Sequence, residues 1–342
     1  MNILVTGGAG FIGSHYCRYV LENYPQDKIF VLDALTYAGN LTTISDIRDH
    51  PRFRFYKGRI EDENVVTRIL REDEIDAIVN FAAQTHNDRS LLSSKEFLET
   101  NVIGVHNLLV CARRTNVKRI VHVSTDEVYG SITEGEFTEE SPLRPNTPYS
   151  ASKAGGDLLC RAHFVSYSTP VIITRGGNTY GPYQYPEKLI SFFVTRLIDN
   201  KVVPLYGDGN QVREWIHVED HVSGIDVALR YGKEGEIYNI ADKNERKNIY
   251  ITEMILDILK KPKDLIRFIP DPRGKAHDLR YSMNCDKIKK LGWKPKVPFE
   301  KGLRSTVEWY VKHQDWWRPL LQKPEFKTFV ADFYGTVLGK DL

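Results

Sequence analysis

No apolar stretch in the 342 residues approaches the roughly 18 that a membrane-spanning helix needs, so no membrane partner is expected. Cysteine is scarce. Cys17, Cys111, Cys160 and Cys285 lie far apart, and no C-x-x-C pair occurs. That spacing suits neither a zinc site nor a disulfide framework, and four free thiols in a reducing cytosol are expected. An excess of one charge is also missing. Lys and Arg number 47 against 45 Asp and Glu, a formal net of +2, which makes no electrostatic case for nucleic acid. The opening MNILVTGGAG has no basic region followed by an apolar segment. No secretion signal is therefore visible, and a cytoplasmic protein is expected. What is present is ordinary soluble material, 41% hydrophobic and 27% charged, enough for a large core. The length suggests two domains, or one large α/β unit with a lobe attached.

The first half alternates in type. Apolar strand-like runs occur at 3–6, 28–33, 53–56, 77–82, 119–124 and 171–175. Between them lie helix-length stretches at 11–23, 63–72, 95–115 and 149–167. This alternation predicts parallel βαβ units, an α/β doubly wound Rossmann-type sheet. After residue 176 Gly and Pro become dense in GGNTYGPYQYP, and the regular alternation ends. The expected division is a dinucleotide-binding domain over 1–176 with later segments interleaved. A smaller mixed α/β substrate lobe follows over 177–317, with a tail over 318–342. No internal repeat or low-complexity tract is seen.

Gly7, Gly10 and Gly13 form G-x-x-G-x-x-G between the first strand and the first helix. Glycine permits the tight turn and the close approach of a pyrophosphate, which the helix N-terminus then favours. Asp33 ends the second strand, 20 residues after Gly13. A carboxylate there accepts the ribose hydroxyls of NAD and repels a 2′-phosphate, so NAD is the expected cofactor. Ala34 and Leu35 follow, with no arginine for NADP.

Tyr149 and Lys153 stand four apart after Pro148, which suits a first helical turn. They share a helix face, so the ammonium can lower the phenol pKa and make Tyr149 a base toward a sugar hydroxyl. Ser124-Thr125 ends a strand upstream, and Thr125 can bond the same hydroxyl.

With these parts the chain resembles the extended short-chain dehydrogenase/reductase family. Within it the chain is similar to the nucleotide-sugar 4,6-dehydratases, most of all those acting on dTDP-glucose. The resemblance runs from residue 1 to about 317. It is carried by TGGAGFIG (6–13), NFAA (80–83), HNDRS (86–90), STDEVYG (124–130), PYSASKAGGD (148–157), YGPYQYPEKLI (180–190), REWIHVEDH (213–221) and HDLRY (277–281). It implies Asp126 as general acid and Glu127 as general base, with Thr125, Tyr149 and Lys153 completing the catalytic set. Elementary chemistry gives the same roles. A ketone at C4 acidifies the C5 hydrogen, whose removal needs a base, and loss of the C6 hydroxyl as water needs an acid. Adjacent residues on a strand point to opposite faces, so both acids reach one sugar only if the chain turns after Thr125.

The resemblance further implies that Phe11, Ile12, Ile60, Ala82, Ala83 and Asn101 join the glycines, Asp33, Tyr149 and Lys153 around NAD. It places His86, Thr125, Asn178, Glu187, Lys188, Leu189, Arg213, Asn248, His277 and Tyr281 along the nucleotide sugar. It implies a homodimer, although Leu108, Leu109, Leu158 and Leu159 could serve the monomer core equally well. Several positions depart from the family pattern. Arg59 replaces the usual acid facing adenine, AAQTHNDRS replaces AAESHVDRS, GNTYG replaces SNNYG, and DPRGKAHD is two residues longer. These leave the base and the hexose open. The rival readings are the same chemistry on UDP-glucose or another NDP-hexose, an NDP-sugar 4-epimerase that uses neither acid, and a non-catalytic NAD-binding protein.

Overall fold

The computed structural model describes residues 1–274 and 277–339. Its strands are β1 (Asn2–Thr6), β2 (Lys28–Asp33), β3 (Phe53–Lys57), β4 (Ala77–Asn80), β5 (Arg119–Thr125) and β6 (Val171–Gly176) in the first half. These are followed by β7 (Asn178–Tyr180), β8 (Val203–Tyr206), β9 (Val212–His217), β10 (Ile237–Ile240), β11 (Glu245–Lys247) and β12 (Ile266–Ile269). Seven of them pair in parallel in the order β10-β6-β5-β4-β1-β2-β3. The direction of winding reverses between β1 and β4. In such sheets the ligand crevice opens there, beyond the strands' carboxyl ends.

The uniformly apolar strands are explained by cover on both faces. Ile3 and Val5 face one core with the Phe11–Asn23 and Val218–Tyr231 helices. Leu4, between them, faces the other core with Val66 and Ile69 of the Glu63–Glu72 helix and Leu108 and Leu109. The two faces follow the period-two geometry of a strand.

The expected helix over 95–115 is interrupted. Lys95–Leu98 and Val105–Arg114 are α-helical, and Glu99–Gly104 between them is a π-helix. Close packing accompanies this turn. A Cβ on Gly104 would sit 2.6 Å from Ile60 Cδ1, and one on Gly156 would sit 2.8 Å from the Asn101 carbonyl. The π turn thus lies where the Pro148–Tyr167 helix approaches most closely.

The second lobe is built on its own core. Phe192, Phe193, Leu205, Trp215 and Ile255 pack with Phe299, Leu303 and Tyr310. Residues expected to form a tail belong to that core. Trp317, Leu320, Phe326, Phe329, Val330 and Tyr334 are buried in it, the last four on the Pro324–Leu338 helix. Interleaving is extensive, since β10 and the Val218–Tyr231 helix return to the first sheet. All four cysteines are free and buried. Among the described residues no helix is long and apolar enough to cross a membrane, and no His, Cys, Asp and Glu cluster could hold a metal ion.

Candidate active site

One cavity of about 380 Å³ runs from the glycine turn, past the ends of β4, β5 and β6, into the second lobe. At one end Gly7 takes φ +70°, and a Cβ there would lie 2.7 Å from the Ala82 amide. A Cβ on Gly13 would strike the Gly7 carbonyl. Side chains are thereby excluded from a cradle that opens on the N-terminus of the Phe11–Asn23 helix, the geometry that binds a phosphate. Asp33 stands beside it, 7% exposed. Its Oδ2 accepts the Ala9 amide at 2.9 Å and its Oδ1 the Leu35 amide at 2.7 Å. Burial pushes this carboxyl up, and the two amides pull it down. Each oxygen keeps a free lone pair, so a ribose diol fits. The cradle, the helix end and the fixed carboxylate together suit a dinucleotide.

The chain does turn after Thr125. Thr125 caps a 3₁₀ turn over Asp126–Tyr129, its Oγ1 accepting the Glu127 amide at 3.3 Å. The turn brings both acids to the cavity wall. Asp126 is 1% exposed, and its Oδ1 accepts the Thr125 hydroxyl at 3.0 Å. Its Oδ2 is buried with no partner among the described residues. Burial, then the neighbouring Glu127 charge, push its pKa well above the carboxylate range. Its surroundings therefore favour the protonated form, which suits a general acid. Glu127 Oε2 accepts Asn87 Nδ2 at 2.6 Å, which fixes the carboxylate on the cavity wall.

Tyr149 opens the Pro148–Tyr167 helix, whose Thr147 cap accepts the Ser150 amide at 3.1 Å. The Lys153 ammonium does not bond the phenol. It donates to the Val123 carbonyl at 2.8 Å, and burial lowers its pKa to about 8. Burial and the Glu127 charge push the Tyr149 phenol up, against a hydrogen bond to Thr125. Desolvation thus outweighs the expected lowering by Lys153 in the protein alone.

At the far end, Arg213 donates to the Asp278 carbonyl at 2.8 Å and lies 4.6 Å from the Tyr281 ring centroid. Among the described residues no carboxylate pairs with it, so this largely buried cation can take a diphosphate. Asn248 keeps a buried amide oxygen without a partner. Glu187 is already engaged, accepting Arg89 Nε at 2.8 Å, and its carbonyl lies 3.1 Å from His86 Nε2. Lys188 donates to the Thr85 carbonyl at 2.7 Å.

The expected site residues that line this cavity are Gly7, Gly10, Phe11, Ile12, Gly13, Asp33, Ile60, Ala82, Ala83, His86, Thr125, Asp126, Glu127, Tyr149, Lys153, Asn178, Glu187, Lys188, Leu189, Arg213, Asn248, His277 and Tyr281. Asn101 is not among the lining residues. It is fully buried behind the wall, donating to the Gln84 carbonyl at 3.0 Å and to Ser152 Oγ at 2.8 Å. Arg59 lines the cavity at the adenine end with its side chain 61% exposed.

Sequence reasoning missed a polar chain across the lobes. Arg273 Nε bonds Asp88 Oδ1, Tyr206 donates to Asp88 Oδ2 at 3.2 Å, and the Tyr206 and Tyr334 hydroxyls meet at 2.7 Å. Arg273 lies in the lengthened DPRGKAHD segment, a signal available in the sequence. Asp88 and Tyr334 are 246 residues apart and carry no such mark.

Comparison with known proteins agrees with this geometry. Residues 4–306 match the family model described as GDP-mannose 4,6 dehydratase. A dTDP-glucose 4,6-dehydratase of Streptomyces niveus is 46% identical over 330 residues, covering 95% of this chain and 97% of that protein. The low-salt glycan biosynthesis protein Agl12 of Haloferax volcanii is 47% identical over 311 residues, 91% of this chain and 99% of its own. The solved structure of DesIV, a dTDP-glucose 4,6-dehydratase of Streptomyces venezuelae with NAD and TYD bound, superposes with a TM-score of 0.91. It is 51% identical, covering 94% of this chain and all of that one. From its glycine cradle to its paired acids, the chain belongs to the GDP-mannose 4,6-dehydratase family.

Proposed function

We propose that the protein is an NAD-dependent lyase that converts dTDP-glucose to dTDP-4-keto-6-deoxyglucose and water. The observation that carries this reading is the 3₁₀ turn, which places a buried Asp126 and an anchored Glu127 in one cavity with Tyr149. A 4-epimerase needs the tyrosine but neither acid. Relatives named for dTDP-glucose support the sugar and the base.

Gly7, Gly10, Gly13 and Asp33 would hold NAD, with Ala82, Ala83, Tyr149 and Lys153 along it. When bound, NAD would supply the hydride acceptor for C4 and donor for C6, and its positive charge would draw the Tyr149 phenol toward ionisation. Tyr149 takes the C4 hydroxyl proton, and Thr125 orients that hydroxyl. Glu127 removes the C5 proton made acidic by the C4 ketone. Asp126 protonates the C6 hydroxyl as it leaves, and a proton returns to C5 when C6 is reduced. Arg213 and Asn248 hold the nucleotide, and burial of the acids keeps bulk water from short-circuiting the transfer.

The domain division given above is part of this reading, with 1–176 holding NAD and 177–317 the sugar nucleotide. A soluble cytoplasmic enzyme is its setting. We infer a homodimer as well, supported by apolar side chains left open on two neighbouring helical segments. Ile103, Leu158, Val165 and Tyr167 are each more than half exposed, whereas Leu108 and Leu109 are core.

The test is a single turnover followed by NADH absorbance and product mass. Glu127→Gln and Asp126→Asn should form bound NADH yet yield little dehydrated product, a loss of roughly 10²–10⁴ in the elimination step. Tyr149→Phe should form neither. Near wild-type dehydration by both acid variants would move the epimerase reading ahead.

A further inference from the structure

Behind the Tyr149–Lys153 pair lies a buried polar chain with a fixed direction. The Thr6 hydroxyl lies 2.5 Å from Asn80 Oδ1, to which it donates, so the Asn80 amide nitrogen is the donor toward His122 Nδ1 at 3.1 Å. The His122 ring therefore carries its proton on Nε2. That nitrogen faces Asp157 Oδ1 at 3.7 Å, and neither atom has another partner among the described residues. Asp157 Oδ2 accepts Arg175 Nε at 2.9 Å. Asp157 is 2% exposed and lies one helical turn after Lys153 on the same face. Lys153, 3% exposed, has one proton on the Val123 carbonyl.

A buried ammonium tends to lose its proton unless an anion stands near it. The titratable and charged groups around Lys153 can be named element by element. Its own helix presents Tyr149, Asp157 and Cys160. The β5 strand and the turn after it present His122, Asp126, Glu127 and Tyr129, and β6 presents Arg175. The Glu99–Gly104 segment presents only the uncharged Asn101. Burial disfavours the charged forms of His122 and Asp126, and Glu127 is bound to Asn87. Asp157 is the carboxylate on the Lys153 face of the same helix, and its charge favours the ammonium.

We propose that Asp157, buried one turn after Lys153 on the same helix face, is a positioning residue for the first step that keeps Lys153 protonated beside Tyr149. The proposal rests on the roles of Tyr149 and Lys153 stated above. The β5 histidine is hydrogen-bonded to Asn80 and, through it, to Thr6 beside the glycine turn, and its other nitrogen faces Asp157 Oδ1 at 3.7 Å without a hydrogen bond.

The test is the pH profile of single-turnover C4 oxidation with dTDP-glucose, read as NADH absorbance in the NAD-loaded enzyme. Asp157→Asn should run within about threefold of wild type at pH 6.5 and at least about tenfold slower at pH 9, since one pKa unit changes the protonated fraction tenfold. Asp157→Asn alone leaves Arg175 without its anion and can fail to fold. The double variant Asp157→Asn/Arg175→Gln leaves no unpaired guanidinium and should show the same shifted alkaline limb. An equal loss at every pH, or an unmoved limb in the folded variant, overturns the proposal. Lys153→Met separates it from the reading beneath it. If that variant keeps the wild-type limb, the titrating group is not Lys153 and both fall. If it abolishes the limb while the Asp157 variants leave theirs in place, only the role of Asp157 falls.

Discussion

Asp126 combines function with a stability cost at one side chain. Its folded pKa is raised by burial, so the folded state binds a proton more tightly than the unfolded chain does. That contribution is fully present below the unfolded pKa near 4 and is lost as pH rises through the folded value. Asp126→Asn removes the titration. The variant should therefore be as stable as wild type near pH 4 and more stable at pH 8, by roughly 1.4 kcal/mol for each unit of upward shift. Denaturant melts at the two pH values check it, and a difference that shrinks toward pH 8 would contradict the assignment. The same variant should lose elimination. The residue types at this site were legible because STDEVYG, Y-x-x-x-K and the glycine turn are local strings. The protonation states were not. Only the fold shows that Lys153 bonds a carbonyl rather than the phenol, that Glu187 is taken by Arg89, and that Asn101 stands behind the wall.

At the scale of elements, the strands and most helices of the first 176 residues follow from periodicity, because the strands there meet a core on both faces and the helices on one. The π turn over Glu99–Gly104 did not follow, since it depends on which helix lies opposite. Gly155 and Gly156 let the Pro148–Tyr167 helix close on that turn. A Cβ on Gly156 would meet the Asn101 carbonyl at 2.8 Å and His122 Nε2 at 3.2 Å. Backbone on one side and a buried ring on the other leave little room to yield. Gly156→Ala should gain helix propensity yet lose stability on balance, by about 1–3 kcal/mol from overpacking. It should also slow C4 oxidation, because the helix that moves carries Tyr149 and Lys153. A melting temperature at or above wild type would show that the contact relaxes freely.

At the scale of the whole molecule, two kinds of information were out of reach of the sequence. One is how the last helix is used. Read from the sequence, 318–342 is a tail, and nothing local says that Phe329 packs on His86 and Arg89 while Tyr334 joins the cavity wall. The other is which leucines face outward. Leu108, Leu109, Leu158 and Leu159 read alike in sequence, and the fold separates them. Leu158 is 58% exposed and Val165, two turns on and on the same face, is 66% exposed. Ile103 and Leu98 lie open on the neighbouring segment. A stripe of this kind across two adjacent helices, on side chains that do not line the cavity, is suited to a second copy of itself about a two-fold axis. Wild-type protein should scatter light as a dimer at micromolar concentration. Leu158→Arg with Val165→Glu places two charges in the centre of the face without touching the core. That variant should scatter as a monomer while still binding NAD, because neither residue lines the cavity. A wild-type monomer, or a variant that stays dimeric, would place the contact elsewhere on the surface.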